Sequence, residues 1–249
     1  MKELGPLILA FDTATTVTSV ALTLGDRRCG RVLAGCTFSS QGSHSRKLLG
    51  AITSLLQGAG VDWSQIDGIG VCSGPGSFTG LRIGMATAKG LAFASKTTLL
   101  GASTLDSLAA GCELSSSPVC AVLDARKKEV YAALYRRDED ARTIRIGAIG
   151  SFSPAGLVQQ IEEPTLMVGD GVLAYADFFR RSLAEKMLPV PPLTHQPSAG
   201  LLGLLCAEKL LQNQTLGPDA VPLYVRSSDA ELNFQRQRRF APEAGGAAG

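Results

Sequence analysis

The chain has 249 residues, of which 45% are hydrophobic and 18% charged. This excludes a disordered chain and allows either one large core or two of ordinary size. Lys and Arg number 24 against 22 Asp and Glu, and the net charge of +2 gives no general pull toward nucleic acid or a membrane surface, so any such role rests on a local patch.

No basic stretch precedes an apolar run at the start, and no apolar run approaches the roughly 20 residues that span a bilayer. The expected location is the cytoplasm, with no membrane partner. The cysteines Cys29, Cys36, Cys72, Cys112, Cys120 and Cys206 form no C-x-x-C pair. They are expected to be free thiols in a reducing compartment.

Leu7 to Phe11 is a short apolar run ending at Asp12, which reads as a buried strand. Val17 to Leu24 alternates and stops at the turn pair Gly25-Asp26, and Arg31 to Phe38 alternates again. Together they predict an antiparallel meander. A helix follows, with Leu48, Leu49, Ile52, Leu55, Leu56 and Ala59 expected on one face, Ser43 as its N-cap, and Gly58 and Gly60 as terminators. Ile66 to Cys72 is the next strand, Ser73 to Gly80 a glycine-rich loop, Phe78 to Ala94 a helix, and Thr97 to Leu100 a further strand.

The second half repeats this order without repeating the sequence. Strands are expected at Val119–Asp124, Glu129–Arg136 and Thr143–Ile149, and a helix at Pro154–Ile161. A strand Leu166–Val168, a helical stretch Val172–Leu188, a proline-rich linker Pro189–Pro197 and an apolar helix Ser198–Gln212 complete it. The division reads as residues 1–104, 105–232 and a Gly/Ala-rich tail 233–249 expected to be disordered, with the last helix able to pack back on the first unit.

Two places offer chemistry. Asp12 ends a strand and is followed by Thr13 and Thr15, a hydroxyl-rich turn suited to a phosphate or a hydrated cation, although Asp and Thr are also ordinary turn formers. Gly74, Pro75, Gly76, Ser77, Phe78, Thr79 and Gly80 lie between a strand and a helix, where glycines permit close backbone approach and the helix start offers unpaired N–H groups. The loop lacks the Gly-Lys-Ser/Thr ending of a P-loop, and Gly74, Gly76 and Gly80 miss the G-x-G-x-x-G spacing. Gly80, Gly84 and Ala88 then recur every four residues, a small-residue stripe that admits another helix. That helix is the 43–59 helix or one from a partner; ordinary packing inside the subunit is the competing explanation. Catalytic groups are scarce. His44 and His195 have no carboxylate or second His at helical spacing, His195 reads as a solvated loop residue, and neither a G-x-S-x-G elbow nor H-E-x-x-H is present.

Asp12-Thr13-Ala14-Thr15, His44-Ser45 opening a helix, the run from Ser73 to Gly84 and Pro222-Leu-Tyr-Val-Arg-Ser-Ser-Asp-Ala-Glu231 together resemble the TsaB (YeaZ) family. The resemblance runs from about residue 7 to 232. It implies the α/β actin-like ATPase (ASKHA) fold, with two subdomains built on five-stranded mixed sheets flanked by helices. It also implies a non-catalytic partner of TsaD, which transfers a threonylcarbamoyl group to the adenosine 3′ of the tRNA anticodon, with TsaE joining the pair and a homodimer forming when the chain is alone. On that basis tRNA is met through the complex, and ATP or ADP belongs to the interface with TsaD rather than to the isolated chain. Asp12, Thr13 and Thr15 match the first phosphate turn. His44, Leu48, the glycine loop, Arg82, Gly84 and Ala88 become the expected interface. TsaD carries a metal-binding His-x-x-x-His where Thr104 and Leu108 stand here, and hydroxyl and alkyl groups cannot replace imidazoles as ligands. The alternative is a nucleotide-binding ATPase or a glycoprotease-like metallopeptidase. Direct tRNA contact through Arg226, Arg236, Arg238, Arg239, Lys127, Lys128, Arg136 and Arg137 is a further possibility.

Overall fold

The computed structural model describes residues 5–39 and 44–225, the side chains of residues 44–46 excepted. The 233–249 tail, the Ser43 cap, the His44 side chain and Arg226, Arg236, Arg238 and Arg239 lie outside the described residues.

The first sheet contains β1 (Leu7–Asp12), β2 (Val17–Leu24), β3 (Arg31–Ser39), β4 (Gly68–Gly74) and β5 (Thr98–Ser103) in the order β3-β2-β1-β4-β5. β1, β2 and β3 pair antiparallel, while β1-β4 and β4-β5 pair parallel. The parallel steps need crossovers, supplied by α1 (His44–Ala59) and α2 (Phe78–Ser95). β1 is buried along its whole length, as a central strand covered on both faces must be. On one face α1 contributes Leu48, Ile52, Leu55 and Leu56, and α2 contributes Met85, Ala88 and Ala92, to a core with Leu9, Phe11, Val20 and Leu22. Leu49, expected on the same face of α1, is 46% exposed.

The other face is covered by α7 (Ala199–Leu211), whose Leu202, Leu205 and Cys206 pack with Ile8, Ala10 and Leu100. The last long helix therefore belongs to the first sheet in space, contacting β1, β2, β4 and β5. Its apolar residues run almost all around, as a helix buried on several sides requires.

The second sheet repeats the topology with β6 (Val119–Arg126), β7 (Glu129–Arg137), β8 (Thr143–Arg145), β9 (Gly150–Phe152), β10 (Thr165–Val168) and β11 (Met187–Leu188). The order is β11-β10-β6-β7-β8, with β9 also on β7. It has six strands where five were expected, because the edge strand predicted over Thr143–Ile149 is split. The Ile146 amide still donates to Leu134 O of β7 at 2.8 Å, but Gly147, at φ +103°, to Ile149 leave the ladder, and pairing resumes at Gly150. Two antiparallel steps followed by two parallel ones, in the same order in both halves, define the α/β actin-like fold.

Several shorter elements depart from expectation. α3 (Thr104–Ala110), capped by Ser103 accepting from the Leu105 amide, was not legible as a helix. α4 is only Pro154–Val158. The stretch predicted to be helical to Leu188 breaks into α5 (Asp170–Ala174), α6 (Ala176–Leu183), a turn at Ala184–Lys186 and β11.

The two halves are joined by more than the chain. Arg27, in the β2–β3 turn with its side chain 8% exposed, makes a bidentate pair with Glu208 of α7 at 3.0 and 2.9 Å, and its pair with Glu113 after α3 crosses to the second half. A buried guanidinium is tolerated because both its partners are fixed carboxylates. All six cysteines are free, Cys29 and Cys36 at the surface and the others buried.

Candidate functional site

The end of β1 and the start of α2 form one packed unit. Asp12 is fully buried, with Oδ1 accepting from the Ala14 amide at 2.7 Å, while Oδ2 has no hydrogen-bond partner. Its pKa is raised to about 6. Burial is the main cause, offset by the Ala14 N–H and the neighbouring Cys72 thiol and reinforced by the charge of Asp170. Asp170 belongs to the second half, where it accepts from the Asp124 amide at 3.0 Å. Burial and the Asp124 charge also raise the Asp170 pKa.

The hydroxyls of the turn are committed within the subunit. Thr13 Oγ1 donates to Gly80 O at 2.7 Å, and Thr15 Oγ1 pairs with the backbone of Val17 at 3.2 Å. The glycine loop closes over this turn. Ser77 N–H donates to Ala14 O at 2.6 Å, and Cβ atoms at Gly76, Gly80 and Gly84 would fall far inside contact with Ala14 O, Thr13 O and Thr13 Oγ1. Ser77 then caps α2 by accepting from the Gly80 amide at 3.3 Å.

The small-residue stripe is therefore an internal contact. Gly80 and Gly84 face Thr13 of the turn after β1, and Ala88 lies in the core. Leu48, Gly74 and Pro75 are also buried inside the subunit. Six positions of the expected interface, Leu48, Gly74, Pro75, Gly80, Gly84 and Ala88, are thus buried within the subunit itself. Of the others, Ser77, Thr79 and Arg82 are exposed, and Gly76 and Phe78 are half-buried.

The outward faces carry a different pattern. On α2, Ala86, Gly90 and Ala94 are exposed at four-residue spacing, with Phe93 beside them 88% exposed. On the adjacent α1, Gly50, Ser54 and Gly58 are exposed at the same spacing, next to Leu49. Nothing lies within 4 Å of a Cβ built at Gly50, Gly58 or Gly90. The sequence carried both patterns, but Gly58 reads there as a terminator and the inward stripe of α2 has more glycine.

Thr104 and Leu108, the positions the resemblance set against a histidine pair, are core residues. Thr104 Oγ1 donates to Pro75 O at 2.7 Å and meets Cys72 Sγ at 2.6 Å, and Leu108 is buried against β6. Among the described residues no three His, Cys, Asp or Glu side chains could hold a metal ion. His195 is not solvated: it is buried in the Pro192–His195 turn beside the Gly169 backbone, which it meets in a hydrogen bond, and burial lowers its pKa. Lys127–Lys128 and Arg136–Arg137 stand at opposite ends of β7, with Arg136 paired to Glu163. No helix among the described residues is long and apolar enough to cross a membrane.

A duplicated actin-like topology with its Asp12–Thr15 turn covered by a glycine loop defines the class, and the comparisons narrow it. The TsaD family model, tRNA N6-adenosine threonylcarbamoyltransferase, matches residues 38–234. The chain is 33% identical over 74% of its length, and 84% of the relative's, to the tRNA threonylcarbamoyladenosine biosynthesis protein TsaB of Escherichia coli. It is 30% identical to TsaB of Haemophilus influenzae, over 88% of this chain and 93% of that one. A solved structure of YeaZ from Pseudomonas aeruginosa superposes with a TM-score of 0.70 at 29% identity, covering 88% of this chain and 99% of that chain. The chain belongs to the TsaB branch of the TsaD family and has a role in tRNA threonylcarbamoyladenosine biosynthesis.

Proposed function

We propose that the chain is a non-catalytic subunit that docks a TsaD subunit through the outward faces of α1 and α2. The observation that carries this reading is the pair of exposed small-residue stripes, Gly50-Ser54-Gly58 and Ala86-Gly90-Ala94, flanked by Leu49 and Phe93. Small residues let helices approach closely, and an exposed Phe beside them supplies an anchor. Gly in a helix interior costs about 1 kcal/mol against Ala, and nothing inside the subunit requires it at Gly50 or Gly90. A second copy of the chain would use the same face, so homodimer and heterodimer compete; TsaE joins the assembled pair, and tRNA is met through it. Placing Arg at Ala86 tests the surface. Association with TsaD is expected to fall by at least about 100-fold, since a buried unpaired charge costs several kcal/mol, with unfolding unchanged. Normal affinity in that variant sinks the reading.

We assign nucleotide binding, ATP or ADP, to the assembled interface and not to this subunit alone. The committed hydroxyls of Thr13 and Thr15 and the loop packed over the turn support that assignment. Calorimetry of the isolated chain with ATP and Mg²⁺ is expected to show no heat of binding. Tight binding lost in Asp12→Ala would instead favour an ATPase. Against a metallopeptidase, the core contacts of Thr104 and Leu108 leave no ligand pair where TsaD has one.

A further inference from the structure

The docking reading leaves one sequence motif unused, Pro222-Leu-Tyr-Val near the end of the described chain. After α7 the chain runs back along the open edge of the first sheet. The Leu216 amide donates to Leu99 O at 2.9 Å on β5. Its side chain covers Gly101, where a Cβ would lie 2.7 Å from Leu216 Cδ1. The Leu223 amide then donates to Ser73 O at 2.7 Å. Gly74, at φ +107°, has no room for a side chain, because a Cβ would lie 2.9 Å from Leu223 O. Backbone hydrogen bonds therefore attach the segment at β5 and at the entrance to the glycine loop.

Tyr224 completes the attachment. Its ring lies 5.2 Å from the ring of Phe78, the first residue of α2. The Arg82 guanidinium sits 3.9 Å over the same Phe78 ring, and Arg82 Nε donates to Tyr224 Oη at 3.1 Å. A cation near the positive end of a helix gains nothing from the helix dipole. The stacking on Phe78 and the bond to Tyr224 are what place Arg82 there. The stack stands one turn from Ala86, at the end of the outward face of α2.

We propose that residues 216–225 form a strap that holds the glycine loop and the first turn of α2 in the shape the partner meets, with Tyr224 as its positioning residue. Tyr224 acts through Phe78 and Arg82. Ordering them beforehand removes part of the entropic cost of docking. This inference rests on the docking surface proposed above.

The test uses the full chain with the TsaD subunit of the same organism. Affinity is measured beside amide hydrogen exchange over residues 76–82. Tyr224→Ala is expected to weaken association about tenfold, the combined scale of the Phe78 ring pair and the Arg82 hydrogen bond that it removes. It should also speed exchange at the Gly80 and Leu81 amides while the global unfolding midpoint stays put. Tyr224→Phe keeps the stack and loses only the Arg82 bond, so its loss should be about threefold. Arg82→Met attacks the stack from the other side and serves if Tyr224→Ala does not fold. Normal affinity and unchanged exchange in Tyr224→Ala and Arg82→Met overturn the strap. If Ala86→Arg abolishes association in that same experiment, the docking reading survives alone. If Ala86→Arg binds normally, the docking reading fails, and the exchange rates still decide whether the strap holds the loop.

Discussion

The two faces of α2 carry nearly the same residue pattern and meet opposite surroundings. Gly80, Gly84 and Ala88 press on the Asp12–Thr15 turn and the core, while Ala86, Gly90 and Ala94 face outward over open space. The stripes are six residues apart, which at about 100° per residue turns them roughly 120° from each other. A spacing of four shows that a helix can be approached closely, but it does not show by what. Burial decides: at Gly80 and Gly84 of the inward stripe Thr13 comes too near for any side chain, whereas nothing in the subunit approaches a Cβ at Gly90.

This contrast can be broken experimentally, beginning with the largest effect. Gly84→Arg is expected to unfold the chain, since even a methyl group there would strike Thr13 Oγ1. Loss of cooperative unfolding by circular dichroism would show it, and a folded variant would mean that the inward face is not packed as described. Gly80→Ala places a carbon against the fixed backbone oxygen of Thr13 and should cost about 3 kcal/mol, the upper range for overpacking. Chemical denaturation measures it.

Asp12 reports on the same inward packing through pH. Its folded pKa of about 6 lies above the ordinary value of 3.8, so between these values the folded state binds more protons than the unfolded one. Stability contributed by the neutral carboxyl is present below pH 3.8 and is lost as pH rises through about 6. The loss is on the order of 3 kcal/mol. Asp12→Asn keeps an acceptor for the Ala14 amide and cannot ionise, so its denaturation midpoints should lack this fall between pH 4 and 7. Parallel pH profiles for the two proteins would show that the Asp12–Thr15 turn is open to water.

The smallest effect has the opposite sign. Gly90→Ala meets nothing within 4 Å and should stabilise the isolated subunit by about 0.5–1 kcal/mol, raising its thermal midpoint. Any destabilisation would place Gly90 against something inside the subunit and erase the distinction between the faces.

Much of the architecture was legible because periodicity and turn residues are local. The apolar run to Asp12, the alternation of Val17–Leu24 and the 3.6-residue pattern of Leu48, Ile52, Leu55 and Leu56 follow from which faces must leave water. α3 was missed because its seven residues are too few to show a period. The split of the third strand in the second sheet was missed because only the ladder reveals where Gly147 leaves it. Leu49 was placed on the wrong face because it stands next to Leu48, and one residue of helix turns a side chain about 100°.

The candidate site was legible in its parts but not in its arrangement. The residues of the Asp12–Thr15 turn and the glycine loop, the repeated order of elements and the family all came from sequence, because each rests on residue types at fixed spacing. That the loop seals the turn, that Thr13 spends its hydroxyl on Gly80 O, that His195 is buried and that Tyr224 returns to Phe78 and Arg82 depended on the tertiary structure. These contacts join residues 67 and 142 positions apart in the chain for Thr13–Gly80 and Arg82–Tyr224. Local propensity carries no information about such pairs; the packing of α2 and of the returning chain against the first sheet brings them together.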